Sequence, residues 1–198
     1  MSTPEMTEKT AAEMLRELEN KELKAKDRIA IPLQEMPAQD PHERRKNMSE
    51  VALGYTEDQV KLEAKRCLQC KSKPCIKGCP VAIDIPRFIE KAEEGDFGGA
   101  LGVIRESSLL PSICGRVCPQ EVQCQAYCTV GKSLKDPMKS VSIGRIERYV
   151  ADWERESGQR NIPAVKPDTG KKVAVIGSGP SGITAAADLR KEGHAVTI

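Results

Sequence analysis

Aromatic side chains are scarce in this chain, whose 198 residues include one tryptophan, three tyrosines and two phenylalanines. A domain of this length has few rings with which to fill a core, so its middle must draw order from another source. Histidine is scarce too. The two present, His42 and His194, neighbour no ligand cluster and read as ordinary surface residues. Charge of one sign is also missing, since 31 basic and 29 acidic residues leave a net +2. That balance gives no bulk electrostatic case for nucleic acid or an anionic membrane. No apolar run approaches the roughly 18 residues of a membrane span, and Met1-Ser2-Thr3-Pro4-Glu5 lacks the charged and apolar regions of a signal peptide. The expectation is a cytoplasmic protein with neither membrane nor nucleic acid among its partners, in a compartment where disulfides do not persist.

Cysteine is what the chain has. Eight cysteines fall in two tight runs, Cys67-x2-Cys70-x4-Cys75-x3-Cys79-Pro80 and Cys114-x3-Cys118-Pro119-x4-Cys124-x3-Cys128. Soft thiolates at these spacings let a short stretch of chain wrap an inorganic cluster. Structural zinc favours pairs of short Cys-x2–4-Cys hooks. Three close cysteines followed by a fourth before proline are instead the pattern of a ferredoxin run, in which the fourth thiolate serves the other cluster. The middle gap of four residues differs from the ferredoxin gap of two. Iron–sulfur is therefore the leading expectation, with zinc, disulfides and metal-free thiols as alternatives, and bound metal is expected to order the aromatic-poor middle. Lys65, Arg66, Lys71, Lys73 and Lys77 surround the first run. Their charge would raise the potential of an anionic cluster and offer a landing surface to an acidic electron carrier. The triplet Arg44-Arg45-Lys46 reads as a solvated face.

Periodicity and capping signals make the cysteine region helical. Thr10 with Glu13 opens an amphipathic helix over residues 11–26 through Ala11, Met14, Leu15 and Leu18. Pro32, Pro37 and Pro41 then deny regular helix and predict an extended arm over a neighbouring surface. Thr56 with Gln59 starts a helix that delivers Cys67 and Cys70 at its end. Pro86 suits the first turn of a helix running to Gly95, and Asp96 caps another through Ala100, Leu101 and Ile104. Residues 140–154 form the most regular amphipathic segment, with Ser140 as cap and Ile143, Ile146, Val150 and Trp153 on one stripe. Glu147 borders that stripe, where periodicity alone predicts a carboxylate reaching water or pairing with Arg148.

A polar linker over residues 156–171 precedes a change of pattern. Residues 173–176 read as a strand, Gly177-Ser178-Gly179-Pro180-Ser181-Gly182 as a glycine loop, 183–191 as a helix and 195–198 as a second strand. A Gly-x-Gly-x-x-Gly in that setting is a nucleotide loop: the first glycine makes the turn, the second admits pyrophosphate, and the third lets helix and strand pack closely. The ribose-binding acidic residue would fall at or beyond Ile198, and one β-α-β unit cannot cover its own sheet, so the chain reads as part of a longer enzyme. The expected organisation is an N-terminal helix in residues 1–27, a helical iron–sulfur domain with its Pro-rich arm in 28–165, and the start of a dinucleotide-binding domain in 166–198.

The two cysteine runs, with Gly54-Tyr55 and Glu63-Ala64-Lys65-Arg66-Cys67-Leu68-Gln69-Cys70 before them and Val175-Ile176 leading into the glycine loop, resemble the small (beta) subunit of NADPH-dependent glutamate synthase. The same module is similar to the N-terminal part of dihydropyrimidine dehydrogenase and the large subunit of NADH-dependent reduced ferredoxin:NADP oxidoreductase. The resemblance covers residues 28–198. It implies a mainly α-helical domain with two [4Fe-4S] clusters, followed by the truncated start of an α/β Rossmann-type FAD-binding domain. It also implies that Cys67, Cys70, Cys75 and Cys128 hold one cluster and that Cys79, Cys118, Cys124 and Glu147 hold the other, leaving Cys114 a buried spectator. Simple arithmetic would give four cysteines to each. FAD would sit on residues 177–182 and NADPH would donate electrons in the longer protein, with no residue of this chain assigned a catalytic role. The implied partner is the glutamate synthase large subunit or a ferredoxin-type carrier, and an oligomer is compatible with the sequence. The alternatives are a ferredoxin:NADP transhydrogenase subunit, with or without electron bifurcation, and a non-catalytic electron-carrier module.

Overall fold

The computed structural model describes residues 9–159 and 162–198, so the signal-peptide reading of Met1–Glu5 lies outside the described residues. Helix α1 spans Ala11–Leu18 and closes the expected capping box between Thr10 and Glu13. It stops well short of residue 26, because Asn20 turns the chain at φ 61°, a left-handed conformation that asparagine tolerates. A separate helix α2, Ala25–Ala30, follows. The proline segment is extended as expected and pairs with the later chain through an antiparallel bridge between Ala38 and Ala52. It also contains a short helix α3, Pro41–Arg44, which the prolines had argued against. Pro41 sits in the first turn, where its missing N–H costs nothing, and Asp40 caps the N–H groups of His42 and Glu43.

The central unit is built from α4 (Glu57–Lys65), α5 (Pro74–Lys77), α6 (Ile85–Glu94), α7 (Phe97–Arg105), α8 (Pro111–Val117), α9 (Thr129–Ser133) and α10 (Ile143–Ser157). Thr56 and Gln59 form the capping box of α4, α6 ends on Gly95 at φ 81°, and the Asp96 carboxylate caps α7 at Gly99. Helix α8 carried no sequence signal strong enough to be expected. The cap of α10 is Ser142 rather than Ser140; Ser140 is buried and its hydroxyl donates to the Gln125 carbonyl at 3.0 Å. The core is mainly aliphatic: Val60, Ile89, Ile104, Ile146 and Val150, with Phe88 beside them, are fully enclosed between α4, α6, α7 and α10. Each such burial contributes about 1.5–3 kcal/mol. Three of the six rings gather in one place, with Phe97 at 5.0 Å from Tyr149 and 5.9 Å from Trp153 between ring centroids.

A buried ion pair braces this unit. Glu63 and Arg66, 0% and 1% exposed, meet at 2.5 Å. Arg66 also donates to the carbonyls of Ile31, Ser140 and Lys139. The Glu63 carboxylate accepts from the backbone N–H groups of Gln34 and Ser142. One pair therefore fastens the arm, α4 and the N-terminus of α10 together. Arg66 thus belongs to the interior and not, as its place among lysines suggested, to the basic surface.

Beyond the linker, β1 (Lys172–Ala174) and β2 (Ala195–Thr197) pair in parallel, Val173 opposite Val196, with α11 (Pro180–Lys191) between them in the chain. This is one β-α-β unit. Its helix begins three residues before the expected start, at Pro180, another first-turn proline.

Removing one member of a buried, multiply hydrogen-bonded pair leaves an uncompensated charge. Arg66→Ala is therefore expected to cost about 3–5 kcal/mol of stability, read from the denaturation midpoint. A loss below about 1 kcal/mol, the range of a surface pair, would contradict the bracing role.

Candidate metal centres

Local chain geometry delivers each cysteine. Cys67 follows the α4 cap directly, its N–H on the Ala64 carbonyl at 2.9 Å. Arg28 of α2 holds the same corner, donating to the Lys65 and Cys67 carbonyls while pairing with Glu93 at 2.9 Å. Positive φ at Gln69 and Lys73 folds the chain back so that Cys70 and, in α5, Cys75 face the same interior. In the second run Cys114 lies in α8, Cys118 caps its end, and Cys128 caps the start of α9. Two close approaches join the runs to their surroundings. A Cβ on Gly78 would meet the Tyr127 ring at 2.5 Å and the Gln123 carbonyl at 2.7 Å, so glycine lets the first run lie against the second. A Cβ on Gly115 would meet the Arg148 backbone at 2.7 Å, so α8 rests directly on α10 beside Glu147.

The result is two hollows. Cys67, Cys70, Cys75 and Cys128 line the first, with Leu68, Ile89 and Val130 among the apolar residues around them. Cys79, Cys114, Cys118, Cys124 and Glu147 line the second, with Ile83 and Phe88. Ile85 and Ile143 line both, so a wall one side chain thick separates them. All eight sulfurs are free thiols, none joined in a disulfide. Cys128, from the second run, lies in the lining of the first hollow, and Cys79, from the first run, in the lining of the second. Cys114 is part-buried rather than the buried thiol expected. It shares the second hollow, and its spacing from Cys118 is the signal that sequence reasoning passed over, because positions i and i+4 of a helix share a face.

Electrostatics show what these hollows need. Burial, reinforced by neighbouring thiols, pushes Cys67 up to about 12 and Cys75 to about 11. The same causes raise Cys124 to about 12 and Cys118 to about 11. Among the described residues no cation lies in either lining, so ionised sulfurs there require a metal. Glu147 makes the same demand. It is 5% exposed, burial alone raises its carboxyl to about 8, and its Oε1 has no hydrogen-bond partner. Arg148, the expected partner, turns away to the Ala52 carbonyl and to Glu50. A buried carboxylate oxygen without a partner is costly unless it receives a cation. Among the described residues no three donors converge closely enough for a single metal ion, whereas a cluster of several irons spans a wider set of thiolates. The donor sets therefore fit iron–sulfur clusters in chemistry and number.

The glycine-loop residues Gly177, Ser178, Gly179, Pro180, Ser181 and Gly182 lie together at the β1–α11 connection. Gly177 turns at φ 104°, and a Cβ on Gly182 would meet the Gly177 carbonyl at 2.0 Å, as close helix–strand packing requires. His194 stays apart from the metal centres, its Nδ1 against the Thr169 hydroxyl at 2.6 Å. No described helix is long and apolar enough to cross a membrane.

Comparison with known proteins places the chain in a family. The glutamate synthase [NADPH] small chain of Escherichia coli K12 is 41% identical over 139 residues, 70% of this chain and 29% of that protein. The corresponding chain of Azospirillum brasilense is 33% identical over 166 residues, 83% of this chain and 34% of that one. The NAD-dependent dihydropyrimidine dehydrogenase subunit PreT of Escherichia coli K12 is 41% identical over 137 residues, 69% of this chain and 32% of that subunit. The chain thus spans about a third of the length of these relatives. Residues 44–159, which contain both hollows, match the family described as dihydropyrimidine dehydrogenase domain II, 4Fe-4S cluster, and the chain belongs to that family of iron–sulfur oxidoreductase domains.

Proposed function

We propose that this chain is the cluster-bearing part of a glutamate synthase small-chain type oxidoreductase, passing electrons from NADPH by way of FAD through two [4Fe-4S] clusters to a partner protein. The observation that carries the reading is the pair of sulfur-lined hollows sharing Ile85 and Ile143 as their wall. Bound FAD would supply two-electron hydride chemistry toward NADPH, and clusters held by the cysteines would supply one-electron transfer. Cys67, Cys70, Cys75 and Cys128 would hold one cluster. Cys79, Cys118, Cys124 and Glu147 would hold the other, with Cys114 close by and unligated.

The chain's own part is positioning and exclusion of water. Ile85 and Ile143 are 2% and 3% exposed, so they keep water out of the wall and hold the two centres at a fixed short separation. The Arg28 and Arg66 contacts to backbone carbonyls keep the first run in place without delivering a charge to the thiolates. The β1–α11 loop would receive the FAD pyrophosphate at the helix N-terminus. The large subunit of glutamate synthase or a ferredoxin-type carrier would take the electrons.

Anaerobically purified protein is expected to carry about eight iron and eight sulfide per chain, measured by colorimetric iron and acid-labile sulfide assays. Stoichiometric zinc without sulfide would sink the proposal. The ligand assignment has its own test, the EPR spectrum of the reduced protein. Glu147→Ala is expected to disturb one cluster signal and spare the other, and Cys114→Ser to leave both. The reverse outcome would give four cysteines to each cluster.

A further inference from the structure

The second hollow holds one more anionic donor than a [4Fe-4S] cluster can use. Cys79, Cys114, Cys118, Cys124 and Glu147 all line it, whereas such a cluster takes four protein ligands. The first hollow has no such surplus. It is lined by four cysteines and, among the described residues, by no carboxylate, and its hydroxyl, on Thr129, accepts from the Cys70 thiol at 3.2 Å. A spare thiol therefore occurs where an oxygen ligand does. Gln120 and Gln123 also line the second hollow, but their neutral amides compete poorly with a thiolate for cluster iron.

Geometry sets the spare thiol beside the carboxylate. The Cys118 N–H closes the last turn of α8 on the Cys114 carbonyl at 3.1 Å, so both side chains leave the helix on one face. The Cys114 thiol is within hydrogen-bonding reach of the Cys118 thiol, and the Glu147 carboxylate is near enough to act on that same sulfur. Gly115, next to Cys114, rests on the backbone of Arg148, the residue after Glu147. Glu147 is buried into this hollow with its Oε1 unpartnered. The Ser108 hydroxyl lies 4.0 Å from the Cys114 sulfur, too far to hold it firmly.

We infer that Cys114 is a reserve ligand of the second cluster, which takes over the iron held by Glu147 when the carboxylate lets go. The inference rests on the cluster reading and ligand sets above. A carboxylate is the harder donor, so the iron it holds is the one most readily released, and a soft thiolate within reach closes that route. In the exchange an Fe–O bond breaks and an Fe–S bond forms, with no electron gained or lost. The proton leaving the Cys114 thiol passes to the freed carboxylate, so the net charge of the buried site does not change.

The test is iron and acid-labile sulfide content, with EPR of the reduced protein, for the anaerobically purified full chain, Glu147→Ala, Cys114→Ala and the double variant. The parent and both single variants are expected to keep about eight iron per chain and the double variant to fall to about four. The second-cluster signal should shift in Glu147→Ala, stay in Cys114→Ala and vanish in the double variant, while the first-cluster signal persists throughout. ENDOR in 17O-labelled water reads Glu147→Ala by itself and carries the test if the double variant does not fold: no 17O coupling is expected, because sulfur and not water fills the vacated place. Ferricyanide should release iron from the second cluster several-fold faster in Cys114→Ala than in the parent. Loss of a cluster from Glu147→Ala, its retention in the double variant, 17O coupling in Glu147→Ala or equal release rates would overturn the inference and leave the cluster reading intact. Loss of a cluster from Cys114→Ala would make Cys114 a resting ligand and overturn the ligand sets with the reserve role, and a parent without iron and sulfide would remove the cluster reading and the inference together.

Discussion

Burying a thiolate or a carboxylate away from water costs several kcal/mol unless a positive charge receives it, and the architecture of this chain is organised around that cost. Eight cysteines and Glu147 line two hollows whose remaining surfaces are isoleucine, valine, leucine, phenylalanine, proline and a few polar side chains, with no lysine or arginine among the described lining residues. Burial drives the Cys67, Cys75, Cys118 and Cys124 thiols and the Glu147 carboxyl toward their neutral forms. Bound iron would reverse that preference, because a metal-bound thiolate keeps its charge. Loss of the metal is therefore expected to loosen local order in this region. Helix α5 (Pro74–Lys77) and the two 3-10 turns at Gln120–Val122 and Gln125–Tyr127 bury no side chain fully.

The Glu63–Arg66 pair solves the complementary problem of holding the donors still. Helix α4 ends where the first cysteine run begins, and the same two side chains clasp the arm and the N-terminus of α10. Glu147 lies in that helix, little more than one turn from its start. A single buried brace therefore sets the position of Cys67 on one side and of Glu147 on the other. The Gly115 contact with the Arg148 backbone completes the arrangement by pressing α8, with Cys114, onto α10.

How much of this was legible in the sequence depended on how local the determining interaction was. Capping boxes at Thr10 and Thr56, the Asp96 cap and the Gly95 stop are decided within four residues, and each formed where expected. The β-α-β order and its glycine loop were legible for the same reason. Features decided by distant partners were not. Ser140 looks like a cap but is claimed by Gln125, which leaves Ser142 at the helix start. Arg66 looks like one more surface cation until Ile31, Lys139 and Ser140 converge on it from far along the chain. Glu147 looks like a border residue with Arg148 at hand, yet Arg148 is drawn off to Ala52 and Glu50 and leaves the carboxylate facing the second hollow. Cys114 is the intermediate case, since helical spacing from Cys118 was available and only the existence of α8 was missing.

The account stands on iron occupying both hollows with the interleaved ligand sets, and anomalous diffraction at the iron edge from anaerobically grown crystals tests that most directly. It should place one iron constellation among Cys67, Cys70, Cys75 and Cys128, and a second among Cys79, Cys118, Cys124 and Glu147, with Ile85 and Ile143 between them. A single constellation, anomalous signal at the zinc edge instead, or a second cluster ligated by Cys114 with Glu147 turned away would contradict it.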